Sequence, residues 1–172
     1  MEVTAMDDNM LAAKISYGLP TIKLMLVREV NKNKPLPREP VPVSISAPED
    51  VVEFIGPLFY APEEHFIALH LNAKNEITGV HEVSHGTLSS SLVHPREVFK
   101  AAFVANSHSI LVCHNHPSGS RLKPSQEDLS TTTNLIEAGV ILGVSLLDHL
   151  IVGGQEANDW YSIREHHPEL WS

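Results

Sequence analysis

The 172-residue chain has a single cysteine, Cys113, so no internal disulfide can form, which fits a reducing compartment. Basic residues are also few: 12 Lys and Arg stand against 21 Asp and Glu, for a formal net charge of −9. Binding along a phosphate backbone rests on clustered Lys and Arg, so this balance argues against nucleic acid as a general partner and leaves only a local basic spot. The opening MEVTAMDDNM lacks a basic segment followed by an apolar one, and no apolar run approaches the roughly 18 residues of a membrane span. The expectation is a soluble, cytoplasmic protein with no membrane contact. With 42% hydrophobic and 19% charged residues, the length fits one globular domain that buries about two thirds of its unfolded surface.

Along the chain, residues 1–45 read as a lead-in. TIKLMLVREV (21–30) is rich in branched apolar residues and predicts a strand, and Pro35, Pro37, Pro40 and Pro42 mark an extended connector. Ser46-Ala47-Pro48-Glu49 has capping-box spacing and predicts a helix over 47–59. The run from Glu64 to Gly86 predicts an antiparallel hairpin turning at NAKNE, with one face buried. Pro95 opens a second helix with Val98, Ala101, Ala102 and Ala105 at helical spacing, and SILVC follows as a buried strand. A third helix starts at Ser125, with Glu127 and Asp128 at its positive end and Gly139 as its stop. VSLLDHLIVGG returns as a strand, and HHPELW reads as a tail with an aromatic anchor. This order predicts an α/β (α+β) domain over 46–172, a single mixed sheet flanked by helices.

The chemistry gathers in ILVCHNHPSGSRLKPSQEDL, residues 110–129. Side chains on a strand repeat every second residue, so His114 and His116 project to one side and Asn115 to the other. The Pro117-Ser118-Gly119 turn folds the chain back, and Asp128 comes from the first turn of the next helix. Two imidazoles and one carboxylate form a three-ligand set with a fourth position for water, the pattern of catalytic rather than structural zinc. Eleven histidines make a bare H-x-H a weak signal, and helix capping alone would explain Ser125 and Asp128. Capping does not explain the histidines. Cys113 points away from them and reads as a small buried apolar residue.

HNHPSG…PSQED, preceded by GTLSSSLVHPREVFKAA and followed by AGVILGVSLLDHLIVG, resembles the RadC-like branch of the JAMM (MPN-plus) metalloenzyme superfamily over roughly residues 46–164. The resemblance implies a curved mixed sheet flanked by helices, a layered JAMM/cytidine-deaminase-like domain around one zinc ion. It also implies cleavage of peptide or isopeptide bonds in a protein or peptide substrate. His114, His116 and Asp128 would then bind zinc, and Ser125 would help hold the developing oxyanion. The motif's general-base glutamate maps to Glu64, with Glu63 as the fallback. Asp148 and His149, in LLDHLIV, match the resemblance and could buttress the zinc ligands. His94 reads as a cap or surface residue.

Two departures accompany the resemblance. Eight residues, 117–124, separate His116 from Ser125 where the family has seven, an insertion a loop absorbs at small cost. Longer RadC-like proteins carry an N-terminal helix-hairpin-helix region that is not recognisable here, which weakens an expectation of DNA association. Three functional classes follow: a zinc peptidase or isopeptidase, a zinc hydrolase of another amide-like or nucleic-acid-linked substrate, and a non-catalytic or nucleic-acid-associated module of the kind tied to DNA repair or mobile elements. Complete ligands favour the first two. The proline-rich lead-in and an exposed edge strand would permit a homodimer.

Overall fold

A computed structural model of the chain describes residues 43–86, 93–117, 122–153 and 159–172. The expected strand over 21–30, the four lead-in prolines and residues 118–121 of the lengthened loop lie outside the described residues. The elements run α1 (Pro48–Phe54), a 3-10 turn (Gly56–Tyr60), β1 (His65–Leu71), β2 (Ile77–His85), α2 (Pro95–Val104), β3 (Ser109–His116), α3 (Gln126–Leu142), β4 (Ser145–Gly153), β5 (Trp160–Ser162) and α4 (Ile163–His166). A last 3-10 turn spans Pro168–Trp171. The five strands form one sheet in the order β2-β1-β3-β4-β5. Only β3 and β4 run parallel; the other neighbours are antiparallel, so the sheet is mixed as expected.

Both faces of the sheet are covered. On one, Phe66, Ala68, Ile110 and Val112 pack beneath Val98, Phe99 and Ala102 of α2 and Leu135 of α3. On the other, Leu69, Leu71, Leu111, Cys113 and Leu150 pack against Val51, Ile55 and Leu58 from α1 and its 3-10 extension. Burying each large aliphatic side chain contributes about 1.5–3 kcal/mol. The hairpin expectation therefore holds for β2, whose residues alternate in exposure, but β1 is a central strand buried on both faces. Cys113 is fully buried in this second layer.

Local chemistry explains three boundary shifts. The α1 helix stops at Phe54 rather than continuing as one helix to residue 59, because Pro57 has no amide proton; the chain tightens into a 3-10 turn, with Leu58 N donating to the Ile55 carbonyl at 2.7 Å. Its cap is displaced by one residue: Asp50, not Glu49, reaches back to accept from Ser46 N and Ala47 N at 2.7 and 3.0 Å. The third helix does not stop at Gly139 but at Gly143, whose φ is +70°. Gly139 is needed for a close approach instead, since a Cβ there would sit 2.5 Å from the Val144 carbonyl oxygen.

Because a parallel pair needs a crossover, α3 carries the chain from the end of β3 back to the start of β4. Its N-terminus therefore lies beside the C-terminal end of β3, where α/β sheets collect ligands. The C-terminal tail is anchored as expected, with Trp171 Nε1 donating to the Leu146 carbonyl at 2.8 Å. Among the described residues, no helix is long and apolar enough to cross a membrane.

Beneath α2, His70 is almost fully buried. Its Nδ1 lies 3.1 Å from Ser107 Oγ, while Nε2 has no hydrogen-bond partner among the described residues. Burial and the neighbouring His81 push its pKa down to about 4. His81 is itself lowered by burial and by Lys100, with Glu97 opposing. The unfolded chain therefore takes up the His70 proton first, near pH 6.5, so stability is full above that pH and falls as pH drops toward 4. His70→Phe is expected to flatten the urea-unfolding stability profile across this window by at most about 1.4 kcal/mol per pH unit. An unchanged slope would mean that His70 is not desolvated in the folded protein.

Candidate metal centre

Strand β3 extends through both histidines, so its two-residue alternation turns His114 and His116 toward the face beneath α2 and α3. His114 is completely buried, with the Phe66 ring stacked on it at 5.9 Å. The third residue of α3, Asp128, comes to the same point. Ser125 caps that helix: its Oγ accepts from Asp128 N at 3.1 Å, and Asp128 Oδ2 accepts from Ser125 N and Ser125 Oγ, both at 2.7 Å. Capping thus uses one carboxylate oxygen and leaves the other.

The second oxygen, Asp128 Oδ1, is buried and has no hydrogen-bond partner among the described residues. It lies 3.2 Å from His114 Nε2, close but outside hydrogen-bonding geometry. His114 Nε2 lies 2.9 Å from His116 Nε2, which is 3.8 Å from Asp128 Oδ2. One ligand atom from each of the three residues lies within 4.8 Å of the others.

Burial sets the charge state of this cluster. It pushes the His114 pKa down to about 4, with the charge of Asp128 opposing and that of His116 reinforcing. For Asp128, burial acts upward, but the His114 charge and the two bonds from Ser125 outweigh it and hold the carboxyl below its ordinary range. At neutral pH the ionised Asp128 carboxylate therefore faces the neutral ring of His114. Leaving a buried carboxylate oxygen unsatisfied costs at least about 1–3 kcal/mol, and a divalent cation held by two nitrogens and one oxygen would offset that cost. The residues present fit a metal ion of the zinc type.

Of the two residues singled out in LLDHLIV, only His149 reaches the cluster. It is fully buried, its Nε2 is 2.8 Å from His114 Nδ1, and its Nδ1 is 2.7 Å from Thr132 Oγ1. The Thr132 hydroxyl in turn donates to the Asp128 carbonyl at 2.7 Å. Asp148 points to the opposite face, where it accepts from Ser162 Oγ at 2.6 Å, Arg164 N at 3.0 Å and His149 N at 2.7 Å. Burial raises its pKa and these three bonds oppose the rise. Thr132 was not foreseen; its only sequence signal is that it stands four residues after Asp128, one helical turn along the same face.

The two glutamates differ in placement. Glu63 is exposed, whereas Glu64 is half-buried. Burial, and then the negative charge of Asp128, raise the Glu64 pKa. Asn115, between the two histidines, grips this segment from the other face. Its Oδ1 accepts from His65 N at 2.7 Å, and its Nδ2 donates to the carbonyls of Glu63 at 2.9 Å and Ala61 at 3.3 Å. Gly86 N adds a bond to the Glu64 carbonyl at 2.9 Å. His94 is exposed at the start of α2 and makes no side-chain cap bond.

Asn115→Ala strips partners from three backbone groups at once and is expected to destabilise the fold by about 2–4 kcal/mol in chemical denaturation. A cost below about 0.5 kcal/mol would show that this side chain does not hold residues 61–65.

Residues 45–168 match the RadC-like JAB domain. A UPF0758 protein of Rubrobacter xylanophilus is 44% identical over 144 residues, covering 83% of this chain and 61% of that protein. A second UPF0758 protein, from Caldanaerobacter subterraneus, is 43% identical over 133 residues, covering 77% and 57%. A third, from Shouchella clausii, is 49% identical over 110 residues, covering 63% and 47%. The chain thus spans only about half to three fifths of the length of these relatives. With a mixed sheet, a buried His-His-Asp cluster at the end of β3 and a match over most of its length, the chain belongs to the RadC-like JAB domain family.

Proposed function

We propose that the chain is a zinc-dependent hydrolase of peptide or isopeptide bonds, acting on a protein or peptide substrate in the cytoplasm. The observation that carries this reading is the buried Oδ1 of Asp128, which has no hydrogen-bond partner among the described residues and lies 3.2 Å from His114 Nε2, itself 2.9 Å from His116 Nε2. His114, His116 and Asp128 would hold the ion, which when bound supplies Lewis acidity to a water molecule and to an amide carbonyl.

The chain's own residues then handle the protons. Glu64 is a carboxyl with a raised pKa beside the cluster, suited to taking a proton from the attacking water. The remaining oxygen adds to the carbonyl carbon, and the proton held by Glu64 passes to the leaving nitrogen as the C–N bond breaks. Ser125 donates its only hydroxyl proton to Asp128 Oδ2, so its assistance to a developing oxyanion requires that hydroxyl to turn. Its first task is to orient the carboxylate.

Metal content separates the ligand set from the base. Native protein is expected to carry about one zinc per chain by inductively coupled plasma mass spectrometry, and Asp128→Ala to lose it. Full retention in that variant would overturn the ligand assignment. Glu64→Gln should keep its zinc yet lose turnover on a peptide or isopeptide substrate by about 10²-fold or more. An unchanged rate would remove Glu64 from the mechanism.

A further inference from the structure

We infer that Thr132 and His149 are positioning residues that lock His114 as the tautomer protonated on Nδ1, keeping its Nε2 bare for a metal ion. The inference rests on the metal reading above but on no particular substrate.

It follows from counting protons along one chain of contacts. The Asp128 carbonyl can only accept, so the Thr132 hydroxyl 2.7 Å away spends its single proton there. Toward His149 Nδ1, also at 2.7 Å, the Thr132 oxygen can then only accept. His149 must carry its proton on Nδ1 and present a bare Nε2. That nitrogen, 2.8 Å from His114 Nδ1, accepts the His114 proton. His114 Nε2 is left with a lone pair aimed at Asp128 Oδ1 and His116.

The reverse polarity puts a proton on His114 Nε2. It abandons the short Thr132 contact to the Asp128 carbonyl, and it still leaves Asp128 Oδ1 without a hydrogen bond. The chain is also closed. It begins at the backbone of one ligand, Asp128, and ends on the ring of another, His114, so the α3 turn that delivers the carboxylate also sets the imidazole. His114 and His149 are completely buried, so neither ring meets solvent directly. His116 is different: its side chain is 20% exposed, and it can change tautomer through water. One histidine ligand is therefore preset and the other adjustable.

The test is zinc affinity by chelator competition in the full chain, with long-range ¹H–¹⁵N NMR of the imidazoles in the zinc-loaded protein. Thr132→Val keeps the side-chain shape but cannot accept from His149, and it should weaken zinc binding about 10- to 100-fold. Thr132→Ser restores the hydroxyl and should return affinity to within about threefold of native, a rescue that a purely packing role would not give. The NMR spectrum should show Nδ1 protonated on both His114 and His149. Equal affinity of the valine and native proteins, or a proton on Nε2 of His149, overturns the inference while leaving the metal site intact. No zinc binding by the native protein overturns the metal reading and this inference together. Should the valine variant fail to fold, the tautomers of the native protein still decide.

Discussion

The bond on which the site depends is the reciprocal cap between Ser125 and Asp128. A capping box normally exists to satisfy the free amides of a helix start, and this one does so. Its particular feature is that both Ser125 donors converge on one carboxylate oxygen, Oδ2. The other oxygen is thereby fixed in direction, buried, and denied a partner. Capping and metal ligation are thus not competing accounts of Asp128. The cap is what would aim Asp128 Oδ1 at an ion.

Alternation along β3 divides the remaining work between two faces of the sheet. His114 and His116 turn to the side of the candidate metal cluster, and Asn115, between them, turns to the other and holds the backbone that carries Glu64. One three-residue stretch therefore sets both the ligand geometry and the position of the proposed base. The same logic splits Asp148 from His149. The histidine reaches the cluster, while the aspartate ties β4 to β5 and the start of α4.

Much of this was legible in the sequence. The H-x-H alternation, the Ser125 cap and the β3-α3-β4 succession depend on periodicity and local hydrogen bonding, which neighbouring residues determine. The grouping of His114, His116 and Asp128 as a possible metal cluster followed from them. Less legible were features set by contacts distant in sequence. Gly139 looked like a helix stop, but its role is to let residue 144 pass close by, a contact made only after the chain turns back. The first helix broke early because Pro57 outweighs the apolar run around it. Thr132 carried only its i+4 spacing from Asp128, since its partner His149 is 17 residues away on another element.

The electrostatics bind these parts together. Glu64 is raised first by burial and then by the negative charge of Asp128. A cation held by Asp128 cancels the second cause and leaves the first, so the proposed base would ionise more readily when the site is loaded than when it is empty. The carboxylate that the helix cap would aim at an ion is thus the same group that would couple occupancy of the site to the charge on Glu64. A neutral residue at position 128 could still cap α3, but it would sever that coupling.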